Sequence, residues 1–82
     1  MKSKIKIEEI ISIISQKISV PVNEINENSI AKNFYKWDSL AQLNIILEIE
    51  KKINIKINAS MMSELTSVKS IIDYLKKLNV IS

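Results

Sequence analysis

Asp38 and Ser39 are the neighbouring residues of this 82-residue chain whose types and position best suit chemistry. They end a polar segment, and a long apolar-periodic run to Ile53 begins directly after them. Either side-chain oxygen can accept a hydrogen bond from the free N–H groups of a helix's first turn. The positive end of the helix dipole also favours an anionic substituent on Ser39. The pair therefore predicts a serine suited to a phosphate ester, with a plain helix cap as the alternative.

The composition restricts what Ser39 can do by itself. A serine nucleophile needs a base, yet the chain has no histidine, and no spacing places a lysine beside Ser39. The absence of cysteine excludes disulfides and thiolate metal sites. A chain of this length has room for one core and no second lobe that closes over a substrate. We therefore predict a single domain over residues 1–82 that has no catalytic residues and no metal site, in which another enzyme modifies Ser39.

The net charge of +3 comes from twelve lysines, with no arginine. Base and phosphate contacts in nucleic-acid sites favour arginine, and these lysines are scattered along the chain. We read most of them as solvated surface and predict no nucleic-acid partner. A small basic helical module that binds nucleic acid or a partner helix remains the alternative, and it needs lysines on one helix face. The scattered groups are Lys2, Lys4 and Lys6, then Lys51, Lys52 and Lys56, then Lys76 and Lys77.

The apolar content of 46% is enough for a folded core. No uninterrupted apolar run approaches the roughly 20 residues needed to span a bilayer. The first residues, Met1 to Lys4, lead into an amphipathic pattern and not into a signal-peptide core. We expect a soluble cytoplasmic monomer with no membrane span.

Apolar residues at helical spacing predict three main helices. The first runs from about Ile5 to Ile18 and is stopped by Pro21, and the second runs from Ser39 to about Ile53. Thr66 or Ser67 caps the last. The first stripe is Ile7, Ile10, Ile11, Ile14 and Ile18, and the last is Val68, Ile71, Ile72, Leu75 and Leu78.

The connecting segments complete a small all-α bundle of three main helices and one short helix, with a long first loop. The first loop runs from Val20 to Trp37, and the apolar residues predicted to anchor it are Val22, Ile25, Ile30 and Phe34. A second loop runs from Asn54 to Ser60, with the side chain of Ile55 or Ile57, or of both, turned toward the core. A short helix lies within Met61 to Leu65, and the tail from Asn79 to Ser82 is frayed. Phe34, Tyr35 and Trp37 form either an exposed recognition cluster or a lid over the core.

The second helix has two contrasting faces. Leu43, Ile45, Ile46, Ile49 and Ile53 fill a broad apolar face that should meet the other helices. The opposite side mixes two leucines with small and polar residues, which is typical of a partner-docking surface and also of a loosely packed helix edge. The predicted partner-binding residues are Leu40, Ala41, Asn44, Leu47, Glu48 and Lys51.

Asp38-Ser39-Leu40, the helix after it and Leu65-Thr66-Ser67-Val68 resemble the acyl carrier protein family, with the similarity extending from the first helix through Asp73-Tyr74-Leu75. The resemblance implies that Ser39 carries a 4′-phosphopantetheine arm, installed by a phosphopantetheinyl transferase. It also implies that Asp38 helps that transferase hold its metal, and that the second helix is recognised by an acyl- or aminoacyl-loading ligase and a downstream transferase or synthase. A peptidyl or D-alanyl carrier is the nearest rival within this reading.

Several residues depart from the family's pattern. Lys36 and Trp37 precede Asp38 where the pattern often has a glycine, a form similar to stand-alone carriers of specialised pathways. Ala41, Gln42 and Asn44 replace a face that is usually partly acidic, so partners with basic patches should bind it less well. Met62 and Ile71 fall where smaller residues often line an acyl pocket, and larger side chains would fill that space. The hypothesis that follows is a short or polar cargo held outside the core.

Overall fold

The computed structural model describes residues 3–82. Met1 lies outside the described residues, as does Lys2, one of the lysines predicted to be solvated surface. The predicted all-α fold with three main helices and one short helix is confirmed, and residues 3–82 contain no β-strand. Two short 3₁₀ helices, Val22–Glu24 and Ala31–Asn33, lie in the long first connection. The four α-helices are α1 (Ile7–Ile18), α2 (Ser39–Ile53), α3 (Ala59–Met62) and α4 (Val68–Lys77).

The core is built mainly from isoleucine. Side chains that are completely or almost completely buried come from all three main helices, because each presents apolar residues at helical spacing to the others. Two ion pairs of 3.9 Å, Lys17 with Glu48 and Lys52 with Glu9, connect α1 to α2. Early residues of α1 therefore lie near late residues of α2, so the two helices run antiparallel. Representative core residues are Ile10, Ile14, Ile45, Ile49, Val68 and Leu75.

Short polar side chains set the helix starts. Ser67 caps α4 by accepting a hydrogen bond from the Ser70 N–H at 3.0 Å. Of the two predicted caps, Thr66 and Ser67, Ser67 is therefore the one that forms. Asn58 caps α3 by accepting from the Met61 N–H at 2.8 Å. That cap starts the short helix two residues before the predicted start at Met61.

Three helices end at residues in the left-handed backbone region, although the chain contains no glycine. Ser19 follows α1 with φ 56°, Asn54 follows α2 with φ 59°, and Asn79 lies just beyond α4 with φ 60°. This conformation lets the N–H groups at the helix end reach back to the last free carbonyls, as the Asn54 N–H does to the Glu50 carbonyl at 2.8 Å.

Residues near the two ends of the described chain pair with each other, and we call this region the terminal seam (Ile5, Val80, Ile81 and Ser82). Ile5 and Ile81 form an isolated parallel bridge, in which the Ile5 N–H donates to Val80 at 2.7 Å and the Ser82 N–H donates to Ile5 at 3.0 Å. Ile5 and Val80 are fully buried. The prediction of a frayed tail is therefore wrong, and the seam also explains why α1 begins at Ile7 and not at Ile5.

The first connection is held by fewer apolar anchors than predicted. Ile25 is buried and Ile30 is half-buried in a bridge with Ser67, but Val22 is exposed, so its predicted role as an anchor is wrong. The aromatic residues do not act as one group: Trp37 is buried, Phe34 lies half-buried with its ring centroid 6.5 Å from that of Trp37, and Tyr35 is fully exposed.

The burial of three further apolar residues, in the loop after α2 and on α2 itself, can be compared with the prediction. Ile57 is buried and Ile55 half-buried, as predicted for that loop. Leu43 was predicted in the core but is partly exposed, because it lies at the edge of the buried face of α2. Among residues 3–82, no helix combines the length and apolar character that crossing a membrane requires.

Candidate functional site

Ser39 is the first residue of α2 and its side chain is exposed. Its hydroxyl makes no hydrogen bond with any residue that the structure describes, and the backbone N–H groups of Ser39 and Leu40 have no partner there either. The free N–H groups and the helix dipole give this end of α2 a partial positive charge. The hydroxyl is therefore accessible in surroundings that favour an anion.

Asp38 fixes where α2 begins. Its backbone is extended, with φ −98° and ψ −171°, and its carboxylate accepts a hydrogen bond from the Ala41 N–H at 2.9 Å. Its carbonyl accepts from the Gln42 N–H at 2.8 Å, the first bond of the helical ladder. The predicted cap is therefore formed by Asp38, which leaves the Ser39 oxygen free for chemistry.

A groove of about 450 Å³ lies directly beside Ser39. Its walls come from the end of the first connection, from α2, and from the α3 region. Trp37 and Gln42 are its buried members, Ala31 and Met62 are half-buried, and the other lining residues are exposed. The lining residues are Ala31, Trp37, Asp38, Ser39, Gln42, Ala59, Met62, Ser63 and Thr66.

Gln42 makes three hydrogen bonds at the inner side of this groove, which we call the Gln42 clasp. Its Oε1 accepts from the Trp37 indole N–H at 2.6 Å, and its Nε2 donates to the carbonyls of Met62 at 2.9 Å and Leu65 at 2.7 Å. Indole is only a donor and carbonyls are only acceptors, so the amide orientation is fixed. The clasp joins α2 to both flanking loops.

Sequence reasoning placed Gln42 on the recognition face, and that placement is wrong because its side chain is only 9% exposed. A signal was present in the spacing. Gln42 precedes Ile45, Ile46, Ile49 and Ile53 at i+3, i+4, i+7 and i+11, so it continues the buried stripe of α2. A glutamine on a buried stripe implies an internal hydrogen-bonded partner.

The predicted partner-binding residues divide into exposed and covered members. Leu40 and Leu47 are exposed at 67% and 44%, and Asn44 and Lys51 are exposed with them. Ala41 is only 6% exposed, so its expected place on an open surface is wrong: it lies at the margin of the buried stripe.

A second groove, of about 470 Å³, runs along the outer side of α2. It brings together four of the six predicted residues, namely Asn44, Leu47, Glu48 and Lys51. Glu48 is half-buried and its carboxylate pairs with Lys17 of α1 at 3.9 Å. The neighbouring Glu50 carboxylate accepts a hydrogen bond from the Ile57 N–H. Both acidic side chains of this groove are therefore already engaged within the chain.

The residues around Ser39 fit a phosphate-linked group. The hydroxyl is exposed, two helix N–H groups beside it lack partners within residues 3–82, and a groove starts at the same point. No rearrangement of the helices is needed for another enzyme to reach the Ser39 oxygen.

Comparison with known proteins gives one consistent result. Residues 8–75 match the family model described as a phosphopantetheine attachment site. The chain is 32% identical over 69 residues to an acyl carrier protein of Chlamydia caviae, a stretch covering 84% of this chain and 90% of that protein. It is 33% identical over 70 residues to an acyl carrier protein of Buchnera aphidicola subsp. Baizongia pistaciae, covering 85% and 90%.

Proposed function

Because the chain belongs to the acyl carrier protein family, whose members have a phosphopantetheine attachment site, we propose that Ser39 is the residue to which the arm is attached. The observation that supports this most directly is the exposed hydroxyl of Ser39 at the first position of α2, beside N–H groups without partners in the described chain. Asp38 supports it by holding the helix start in place through its own carboxylate.

Membership of the family defines the general activity. The protein is a non-catalytic carrier whose cofactor is covalently bound 4′-phosphopantetheine, and a phosphopantetheinyl transferase is its partner. The bound arm supplies a terminal thiol, on which cargo is held as a thioester. The flexible arm keeps that cargo at high effective concentration near successive partner enzymes.

The attachment step assigns roles to two residues of this chain. The Ser39 oxygen forms a new bond to the pantetheine-side phosphorus of the coenzyme A diphosphate and loses its proton. The bond from that phosphorus to the bridging oxygen breaks, and adenosine 3′,5′-bisphosphate leaves. The transferase supplies the base, since the chain has no histidine and Ser39 has no side-chain partner among the described residues. Asp38 keeps the hydroxyl at the helix tip and, by resemblance to the family, contributes to the transferase's metal site.

The intact mass of the protein tests the attachment residue. Incubation with coenzyme A and a promiscuous transferase should add the mass of one phosphopantetheine group to the wild type and nothing to Ser39→Ala. Ser60→Ala is the matched control, because Ser60 is an exposed serine in a neighbouring helix. An equal gain in Ser39→Ala and the wild type would overturn the assignment, as would no gain in any variant.

The cargo and setting are part of the same proposal. The relatives named above are acyl carrier proteins, which favours an acyl group over an aminoacyl, peptidyl or D-alanyl cargo. We propose a specialised biosynthetic pathway, with a loading ligase and a downstream transferase or synthase as further partners, and a cytoplasmic monomer as the working form. The Trp37-Asp38-Ser39-Leu40 sequence supports the specialised role through its resemblance to stand-alone carriers.

We further propose that these partners dock on the exposed face of α2, formed by Leu40, Asn44, Leu47 and Lys51. The two leucines offer apolar area, and the carboxylates of Glu48 and Glu50 are engaged within the chain. Charge therefore contributes little to attraction of a basic partner, and apolar contact has to supply most of the binding free energy.

A further inference from the structure

The Gln42 clasp lies between the groove beside Ser39 and the isoleucine core. Trp37 and Gln42 line the groove, and both are buried at its inner side. Past them, α2 continues with Ile45 and Ile46, which are fully buried in the core. The side chain of Gln42 bonds across to Met62 and Leu65, so it ties α2 to the segment after α3 at this level.

An apolar chain attached at Ser39 would gain free energy by leaving water, and the nearest large apolar volume is the core. To reach the core from the groove, the chain would have to part α2 from residues 62–65. Parting them separates the Gln42 amide nitrogen from the Met62 and Leu65 carbonyls, and moving the Gln42 side chain aside also removes the acceptor of the Trp37 N–H. The Met62 carbonyl still accepts from the Leu65 N–H, whereas the Leu65 carbonyl, the Gln42 amide and the indole N–H keep no partner in the described chain. Buried polar groups without partners are strongly disfavoured, so the clasp opposes entry.

We infer that Gln42 determines cargo length, because with Trp37 it closes the route from Ser39 into the core and confines the cargo to the outer groove. This inference rests on the proposed attachment at Ser39. Short acyl groups fit such a site, since the groove offers the Trp37 ring and the Met62 side chain as limited apolar cover. Longer chains gain nothing from further methylenes, because those methylenes stay in solvent.

The test uses protein loaded at Ser39 with butyryl, octanoyl or dodecanoyl pantetheine from the corresponding acyl-coenzyme A. The readout is the rate at which hydroxylamine cleaves the thioester, together with the melting midpoint. Each methylene that entered the core would increase the ratio of protected to exposed thioester about fourfold. In the wild type we expect dodecanoyl and butyryl cleavage rates within about twofold of each other, because no methylene is buried in the core.

Two variants examine the clasp itself. Gln42→Ser removes most of the side chain, and Trp37→Phe replaces the indole with a smaller ring that has no N–H to donate. Gln16→Ser is the matched control at an exposed glutamine of α1. Opening the clasp should slow dodecanoyl cleavage at least tenfold relative to butyryl, which burial of about two of the additional methylenes is enough to give, and should raise the melting midpoint as the acyl chain lengthens. A residue with only a structural role would shift the midpoint equally for all three cargoes. If Gln42→Ser does not fold, Trp37→Phe still tests the inference.

Three results would overturn the inference: wild-type dodecanoyl protected about tenfold over butyryl, a cargo-independent effect in the variants that fold, or the same change in Gln16→Ser. A wild-type chain that accepts no group at Ser39 would instead overturn the proposed function. The two failures are therefore distinguishable, since the first requires a loaded protein and the second prevents loading.

Discussion

The two ends of the bundle are stabilised by different interactions. At the terminal seam, fully buried Ile5 and Val80 pack together and short backbone hydrogen bonds join the ends of the described chain. At the Ser39 end, side-chain polar groups hold the loops: the Asp38 cap and the Gln42 clasp. Apolar packing with backbone pairing gives a closed end, whereas polar side chains give an end that holds its shape and still leaves the Ser39 hydroxyl exposed.

The largest expected effect is at the terminal seam. Ile5→Ala removes a fully buried side chain and leaves a cavity, so the free energy of unfolding should fall by about 2–5 kcal/mol. Urea denaturation measures this, with Ile7→Ala as the control at a half-buried site that should lose less. Phosphopantetheine attachment should proceed normally wherever the variant is folded. A loss below about 1 kcal/mol would show that the seam contributes little.

The second effect is at the opposite end. Gln42→Met keeps the length of the side chain but leaves the Trp37 N–H and the Leu65 carbonyl without partners, so the free energy of unfolding should fall by about 2–3 kcal/mol. Gln16→Met, on the exposed side of α1, should stay within about 0.5 kcal/mol of the wild type. Equal values for the two methionine variants would mean that the clasp adds no net stability.

The third effect concerns binding and not folding. Leu47→Asp places a charge on the exposed face of α2 and should reduce the efficiency of modification by the transferase about tenfold, which corresponds to about 1.4 kcal/mol. Thermal unfolding should be nearly unchanged, because Leu47 is substantially exposed. Ser12→Asp, at an exposed position of α1, is the control for added charge. A normal rate for Leu47→Asp would place docking elsewhere.

The smallest effect separates the two roles of Asp38. Asp38→Ala removes the cap and should lower the free energy of unfolding by about 1 kcal/mol. Asp38→Asn keeps a capping oxygen, so its free energy of unfolding should stay within about 0.3 kcal/mol of the wild-type value. If the carboxylate also serves the transferase's metal, Asp38→Asn will be modified slowly despite its intact fold. Normal modification of the asparagine variant would limit Asp38 to capping.

The same contrast explains what could be predicted from the sequence. Helices, caps and the isoleucine stripes depend on residues within a few positions of each other, and α1, α2 and α4 were predicted nearly to their bounds. The terminal seam pairs Ile5 with Ile81, which are far apart in the sequence, and no local pattern predicts a contact between them. A local reading of Asn79 to Ser82 finds four residues beyond the last helical stripe, with no visible partner for Val80 and Ile81, and so predicts fraying.

The candidate site shows the same division between features set by nearby residues, which could be predicted, and contacts between distant residues, which could not. Asp38 as cap and the exposure of Leu40 and Leu47 follow from helix position alone. The burial of Gln42 was missed because the resemblance to the family placed it on the recognition face, and two of its partners are 20 and 23 residues away. The burial of Trp37 was one of two predicted alternatives, because an aromatic residue near a helix start suits either exposure or burial until its hydrogen-bond acceptor is identified.

The left-handed residues after α1, α2 and α4 have a consequence for engineering. A side chain with a Cβ atom in that backbone region stores roughly 1–2 kcal/mol of steric strain, least for asparagine. Serine tolerates this backbone region less well than asparagine does. Ser19→Gly would therefore relieve steric strain, and it would also increase the conformational entropy that the chain loses on folding. Position 19 is therefore a site where thermal tolerance can be tuned, because Ser19 lines neither the groove beside Ser39 nor the groove along α2.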